Sequence, residues 1–152
     1  MAIILLNVVG LYYLGLSAFR ALGGLLPAMV AQISPFFTMF ILKQAYLVKP
    51  EPFLLLAASL LGALLFKAIE RRDADLGRLP VAFGIVVGFG TASKLLFAPL
   101  AVVPLFILGL RKETGVYVLS GLIAFLVFLL PAVGNWDVSL DYFTRMAAGS
   151  GA

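Results

Sequence analysis

The run PVAFGIVVGFGTASKLLFAPLAVVPLFILGL, residues 80–110, decides how this chain is built. It carries one charge, Lys94, in 31 residues. One helix crossing a hydrocarbon core needs about 20 apolar residues, and two need about 40. The run is too long for one ordinary crossing and short for two. Its first half is rich in glycine and its second half holds Pro99 and Pro104. That composition predicts a hairpin: a helix over 80–93, a turn near Ser93, and a return helix over 95–110.

The flanking sequence extends this pattern in both directions. Residues 115–133 form the cleanest apolar span, followed by a polar tail over 135–152 that holds Trp136 and Tyr142, residues suited to a membrane interface. Upstream, spans are expected at 1–19, 24–42 and 52–69. Pro27 and Pro35 fall within the second of these, and a break is expected near Ser34–Pro35, since an interior proline removes a backbone donor and clashes with the preceding turn. Lys43 to Pro52, reading KQAYLVKPEP, is expected to be a loop, with Pro52 opening the next helix where its missing N–H costs nothing. The N-terminal run has no basic segment before its apolar core and is read as a span, not as a signal peptide. The expected fold is all-α: a single multi-spanning transmembrane bundle of five to six membrane helices.

Composition supports this class. Hydrophobic residues make up 63% of the 152 positions and charged residues 12%, with a mean hydropathy of +1.14. A soluble domain of this size leaves too much area exposed to hide that apolar surface, whereas a bilayer solvates it. The net charge of +4 does not indicate nucleic acid, because the basic residues do not form a patch interleaved with aromatics. They lie between the apolar runs. Arg20, the segment 70–79 with Arg71, Arg72 and Arg78, and the segment 111–114 are expected on the cytoplasmic side by the positive-inside rule. The hairpin over 80–110 is what lets all three share that side. The chain has no Cys and no His, which excludes thiol nucleophiles, disulfides and the usual zinc sets; no metal site and no cofactor are expected.

Few residues invite a chemical role. Lys94 is a cation at bilayer depth, a costly placement that persists where it meets protein, water or an anion. It reads as a contact for a phosphate or lipid-linked substrate, or as a side chain snorkelling to the headgroups along its stem. Gly84 and Gly88 form a small-xxx-small pair suited to close helix packing. The sequence GFGTASK lacks the spacing of a phosphate-binding loop. Lys49 and Glu51 stand at the mouth of a helix, where Glu51 either favours the helix dipole or offers a carboxylate at the membrane surface. Asp137 and Asp141 share a face if the tail is helical, which alone is weak ground for acid–base chemistry.

Lys49-Pro50-Glu51 followed by a Leu-rich helix resembles the multi-spanning glycosyltransferases of the GT-C superfold. So does the Gly-rich run from Gly84 to Lys94 with the Pro99 and Pro104 segment after it. The similarity is to the protein-mannosyltransferase and lipid A arabinosyltransferase group and covers about 1–133. It implies an inverting transferase that uses a polyprenyl-phosphate-linked sugar at the outer face of a bacterial or archaeal cytoplasmic membrane. Lys94, Lys49 and Glu51 would then lie near the lipid phosphate. In that group the catalytic carboxylates sit in the first outer loop, and no helix with an acidic loop precedes Lys43 here. The departure implies a fragment, inactive alone, and no catalytic residue is carried over. A small transporter or channel subunit and a non-catalytic scaffold stay open as alternatives.

Overall fold

Long apolar runs favour helices, because a backbone N–H or C=O left unpaired in an apolar setting costs several kcal/mol and a helix pairs these groups within one segment. The computed structural model describes residues 2–44, 51–71, 76–109, 112–134 and 144, and among these no residue is in a strand. Six α-helices follow in order: α1 (Ala2–Leu22), α2 (Leu25–Gln44), α3 (Glu51–Glu70), α4 (Leu79–Ser93), α5 (Val103–Leu108) and α6 (Lys112–Val133). A 3₁₀ helix, Leu95–Val102, joins α4 to α5. Three helices are long and apolar enough to cross a membrane, through Leu5–Leu22, Pro52–Glu70 and Lys112–Pro131.

Direction follows from pairwise contacts. Gly10 of α1 faces Leu56 and Ser59 of α3, and Gly62 of α3 faces Leu14, so the two helices run parallel. Helix α2 folds back along α1 after a tight turn. Gly23 adopts φ +69°, which suits glycine, and its N–H bonds Phe19 O at 2.9 Å to close α1. Across that hairpin Gln32 Nε2 donates to Leu11 O at 3.2 Å. Helix α4 runs antiparallel to α3, and Phe53 near the start of α3 meets Phe89 near the end of α4 at 6.1 Å between ring centroids.

The tightest crossing joins α4 to α6. A Cβ at Gly84 would lie 2.6 Å from Tyr117 O and 2.7 Å from Gly121 N, and one at Gly88 would lie 2.8 Å from both Ala124 Cβ and Phe125 N. Positions 84 and 88 thus step along α6 in the same direction as 121 and 125, so α4 and α6 are parallel. The core continues from this seam into Phe83, Val87, Leu61, Ala57 and Leu108.

Several expectations need correcting. Helix α2 does not break at Ser34–Pro35 but continues through Pro35 to Gln44. Pro35 has no N–H for Ala31 O, and the Ser34 hydroxyl donates to that carbonyl at 2.9 Å instead. Pro27 lies in the first turn of α2, where no helical partner is lost. Lys43 and Gln44 close α2 and Glu51 opens α3, so the expected loop is shorter at both ends; residues 45–50 lie outside the described residues. Arg20 is not in a loop but in the last turn of α1, and Lys112–Thr114 form the first turn of α6. Glu113 suits that position, as an acid near a helix N-terminus complements the dipole. The return limb 95–110 is not one helix: it is 3₁₀ over Leu95–Val102 and α over Val103–Leu108, because Pro99 and Pro104 each withhold a backbone donor.

The close α4–α6 seam makes a stability prediction. Gly88→Leu must push the two backbones apart and should cost about 1–3 kcal/mol in equilibrium unfolding from mixed detergent micelles. Gly115→Ala, on α6 with nothing within 4 Å, should be neutral or stabilising by about 1 kcal/mol. Equal destabilisation by both substitutions would show that the seam is not what sets the packing.

Candidate functional site

The end of α4 is built around one change of backbone direction. Ser93 Oγ turns back to Phe89 O at 2.9 Å, a bond that competes with the helical pattern at the last residue of α4. Lys94 then takes φ −164° and ψ 125°, an extended conformation that stops the helix. Its N–H still reaches Gly90 O at 3.0 Å, and its own carbonyl accepts Phe97 N–H at 2.9 Å, which starts the 3₁₀ limb. Lys94 therefore stands at the apex of the hairpin, half-buried. The apex is tight because Phe97 folds over Gly90, where a Cβ would clash with its ring, 2.5 Å from Cε1 and 2.8 Å from Cγ.

One turn below Lys94 the rings of Phe53, Phe89 and Phe128 form a chain across α3, α4 and α6, with Phe89 and Phe128 centroids 4.9 Å apart. Edge contacts of this kind fix ring positions as well as burying area. They set the first turn of α3, including Glu51, at the same end of the bundle as Lys94. The return limb is anchored separately. Tyr117 Oη donates to Ala101 O at 2.6 Å, and Pro104, three residues on, has no N–H to offer that carbonyl in a 3₁₀ pattern. At the far end of the limb Gly109 takes φ +62°, and the Thr114 hydroxyl donates to its carbonyl.

No protein family, curated protein or solved structure matches this chain. The site must be read from its own geometry.

That geometry separates the expected site residues. Lys94 and the backbone of Glu51 share one end of the bundle, while Lys49, Asp137 and Asp141 lie outside the described residues. Among the described residues, no three His, Cys, Asp or Glu side chains gather into a metal-binding set. The helix directions also sort the charges. Arg20, Lys67, Arg71, Arg78 and Lys112 all fall at the end opposite Lys94, and each is exposed. Lys43, in the last turn of α2, falls at the Lys94 end.

Two clefts were not anticipated from the sequence. One, of about 420 Å³, lies among α1, α2 and α3 and is lined by Leu14, Pro27, Val30, Pro35, Gly62 and Phe66. The other, of about 320 Å³, lies among α1, α3 and α4 and includes Lys67, Tyr13 and Ser17. Lys67 sits inside an expected span, and only its i, i+4 and i, i+7 spacing to Ala63 and Leu60 could have signalled a shared face.

Tyr117→Phe should leave Ala101 O without its donor and destabilise the hairpin by about 1–3 kcal/mol, the cost of an orphaned acceptor. Unfolding in detergent, with hydrogen exchange of residues 95–108, would measure it. Unchanged protection of that limb would mean that Tyr117 does not anchor it.

Proposed function

We propose that this chain is the membrane-embedded part of a glycosyltransferase that takes its sugar from a polyprenyl phosphate carrier, with Lys94 as the contact for the lipid phosphate. The observation that carries this reading is the position of Lys94. It is a half-buried cation at the apex of a helical hairpin, at the end of the bundle away from Arg20, Lys67, Arg71, Arg78 and Lys112. A cation in that setting gains from an anion that the bilayer itself delivers, because the phosphate arrives already at the headgroup level with its chain in the hydrocarbon. Glu51, at the start of α3, and Lys49 belong to the same reading through the resemblance to GT-C enzymes. The reading names a donor-binding surface and no catalytic base.

In this arrangement the hairpin contributes two crossings, and α1, α2, α3 and α6 one each, for six in all. Helix α4 has 15 residues, about 22 Å at 1.5 Å per residue, short of a hydrocarbon core of about 30 Å. The apex therefore lies below the outer surface or under a locally thinned bilayer. The Arg-rich end faces the cytoplasm of a bacterial or archaeal membrane, by the positive-inside rule. Because the chain has no cysteine, single substitutions report sidedness cleanly. Glu51→Cys should react with a membrane-impermeant maleimide on intact cells and Arg78→Cys only after lysis; the reverse pattern would invert the topology and move Lys94 to the wrong face.

Binding tests the function itself. The chain in nanodiscs should bind polyprenyl phosphate, and Lys94→Ala should weaken binding about ten-fold or more, as expected for loss of a charge-assisted hydrogen bond. Lys94→Arg should retain most of the affinity. Equal binding by wild type and Lys94→Ala would remove the basis for the assignment. The proline inside α2 and the break at Lys94 also fit the interrupted helices of a transporter. Solute flux into proteoliposomes that Lys94→Ala abolishes, without polyprenyl phosphate binding, would select that class.

A further inference from the structure

We infer that the cleft among α1, α3 and α4 is a binding site for one anionic glycerophospholipid, with an acyl chain along the cleft and the headgroup phosphate on Lys67. This site is distinct from Lys94, at the other end of the bundle, and does not depend on the transferase reading.

The lining residues have the periodicity of three helix faces. Leu60, Ala63, Leu64 and Lys67 fall on one face of α3, Tyr13 and Ser17 on one face of α1, and Ala82, Ile85 and Val86 on one face of α4. Because α4 is antiparallel to α3, Ala82 lies at the Lys67 end and Val86 at the Leu60 end. The cleft thus runs from Lys67 inward for seven residues of α3, about 10 Å. Its charge is confined to one end. Apart from Tyr13 and Ser17 the rest of the lining is apolar, and small side chains at Ala63 and Ala82 make the depression. The cleft opens sideways to the bilayer: Tyr13 is 54% and Ile85 46% exposed.

These features match a lipid and no free anion. A soluble phosphate would have one cation and the two hydroxyl-bearing residues Tyr13 and Ser17, too few donors to replace its water, over an otherwise apolar floor. A phospholipid brings an acyl chain for the floor and a phosphate for the mouth. Lys67 is exposed in the last turn of α3, within reach of the headgroup level through its four-carbon stem. Arg20, Arg71 and Arg78 at the same end add a field that favours anionic headgroups over zwitterionic ones.

Native mass spectrometry of the full chain, released from micelles doped with phosphatidylglycerol or with phosphatidylcholine of the same acyl chains, tests this. One phosphatidylglycerol should be retained in preference to phosphatidylcholine. Lys67→Gln should reduce that retention about five-fold, from a contribution near 1 kcal/mol per basic residue at a membrane surface. Lys112→Gln, at the same end but outside the cleft, should leave it unchanged. Ala82→Leu, which fills the floor, should reduce retention of both lipids. Equal losses in Lys67→Gln and Lys112→Gln would overturn the site in favour of a diffuse surface field. So would equal retention of the two lipids by the unmodified chain.

Discussion

The close parallel contact of α4 and α6 through Gly84, Gly88 and Gly121 constrains everything around it. Gly121 approaches Gly84 Cα within 3.7 Å of where its own Cβ would stand, so the two backbones meet with almost no side chain between them. In lipid there is no water to expel between helices, and such contacts rest on dispersion and weak backbone interactions that only small residues allow. Parallel neighbours also impose a topological demand. The chain must travel back the full length of α4 before α6 can begin, and it has 14 residues from Leu95 to Leu108 in which to do so.

That demand accounts for the form of the return limb. A 3₁₀ helix rises about 2.0 Å per residue against 1.5 Å for an α-helix, so eight residues of 3₁₀ and six of α cover about 25 Å, enough to match α4. Pro99 and Pro104 make a regular α-helix unfavourable over this stretch and thereby favour the longer rise. The cost is unmet carbonyls in an apolar segment. Tyr117 meets one of them from α6, so the helix whose position creates the demand also supplies part of the remedy.

Much of this was legible in the sequence, for identifiable reasons. The hairpin over 80–110 follows from counting apolar residues against the thickness of a bilayer, and Lys94 at its apex follows from the cost of placing an ammonium anywhere deeper. Gly84 and Gly88 announce a packing face by spacing alone. Their partner does not, because Ser120, Gly121 and Ala124 lie on a helix whose parallel direction no local pattern records. The continuity of α2 was hidden for a similar reason. A proline predicts a break, but the neighbouring Ser34 hydroxyl occupies Ala31 O and keeps the helix whole. The cleft holding Lys67 depends on three helix faces meeting, which becomes visible only when the directions of α1, α3 and α4 are known.

Lys94 and Lys67 are best understood together. Both stand at the carbonyl end of an apolar helix, Lys94 just beyond α4 and Lys67 in the last turn of α3. The negative end of the helix dipole favours a cation in either place, which offsets part of the cost of keeping charge close to lipid. Yet α3 and α4 are antiparallel, so their carbonyl ends point to opposite faces of the bundle. The same local rule thus plants one lysine at each end of the bundle. They differ in what surrounds them: Lys67 shares its end with three arginines and opens onto a cleft, whereas Lys94 sits half-buried at a hairpin turn, at the same end as the Phe53, Phe89 and Phe128 rings. The lipid site rests on a lysine at the mouth of a largely apolar cleft. Lys94 is instead held by the turn itself, its N–H on Gly90 O and its carbonyl on Phe97 N–H.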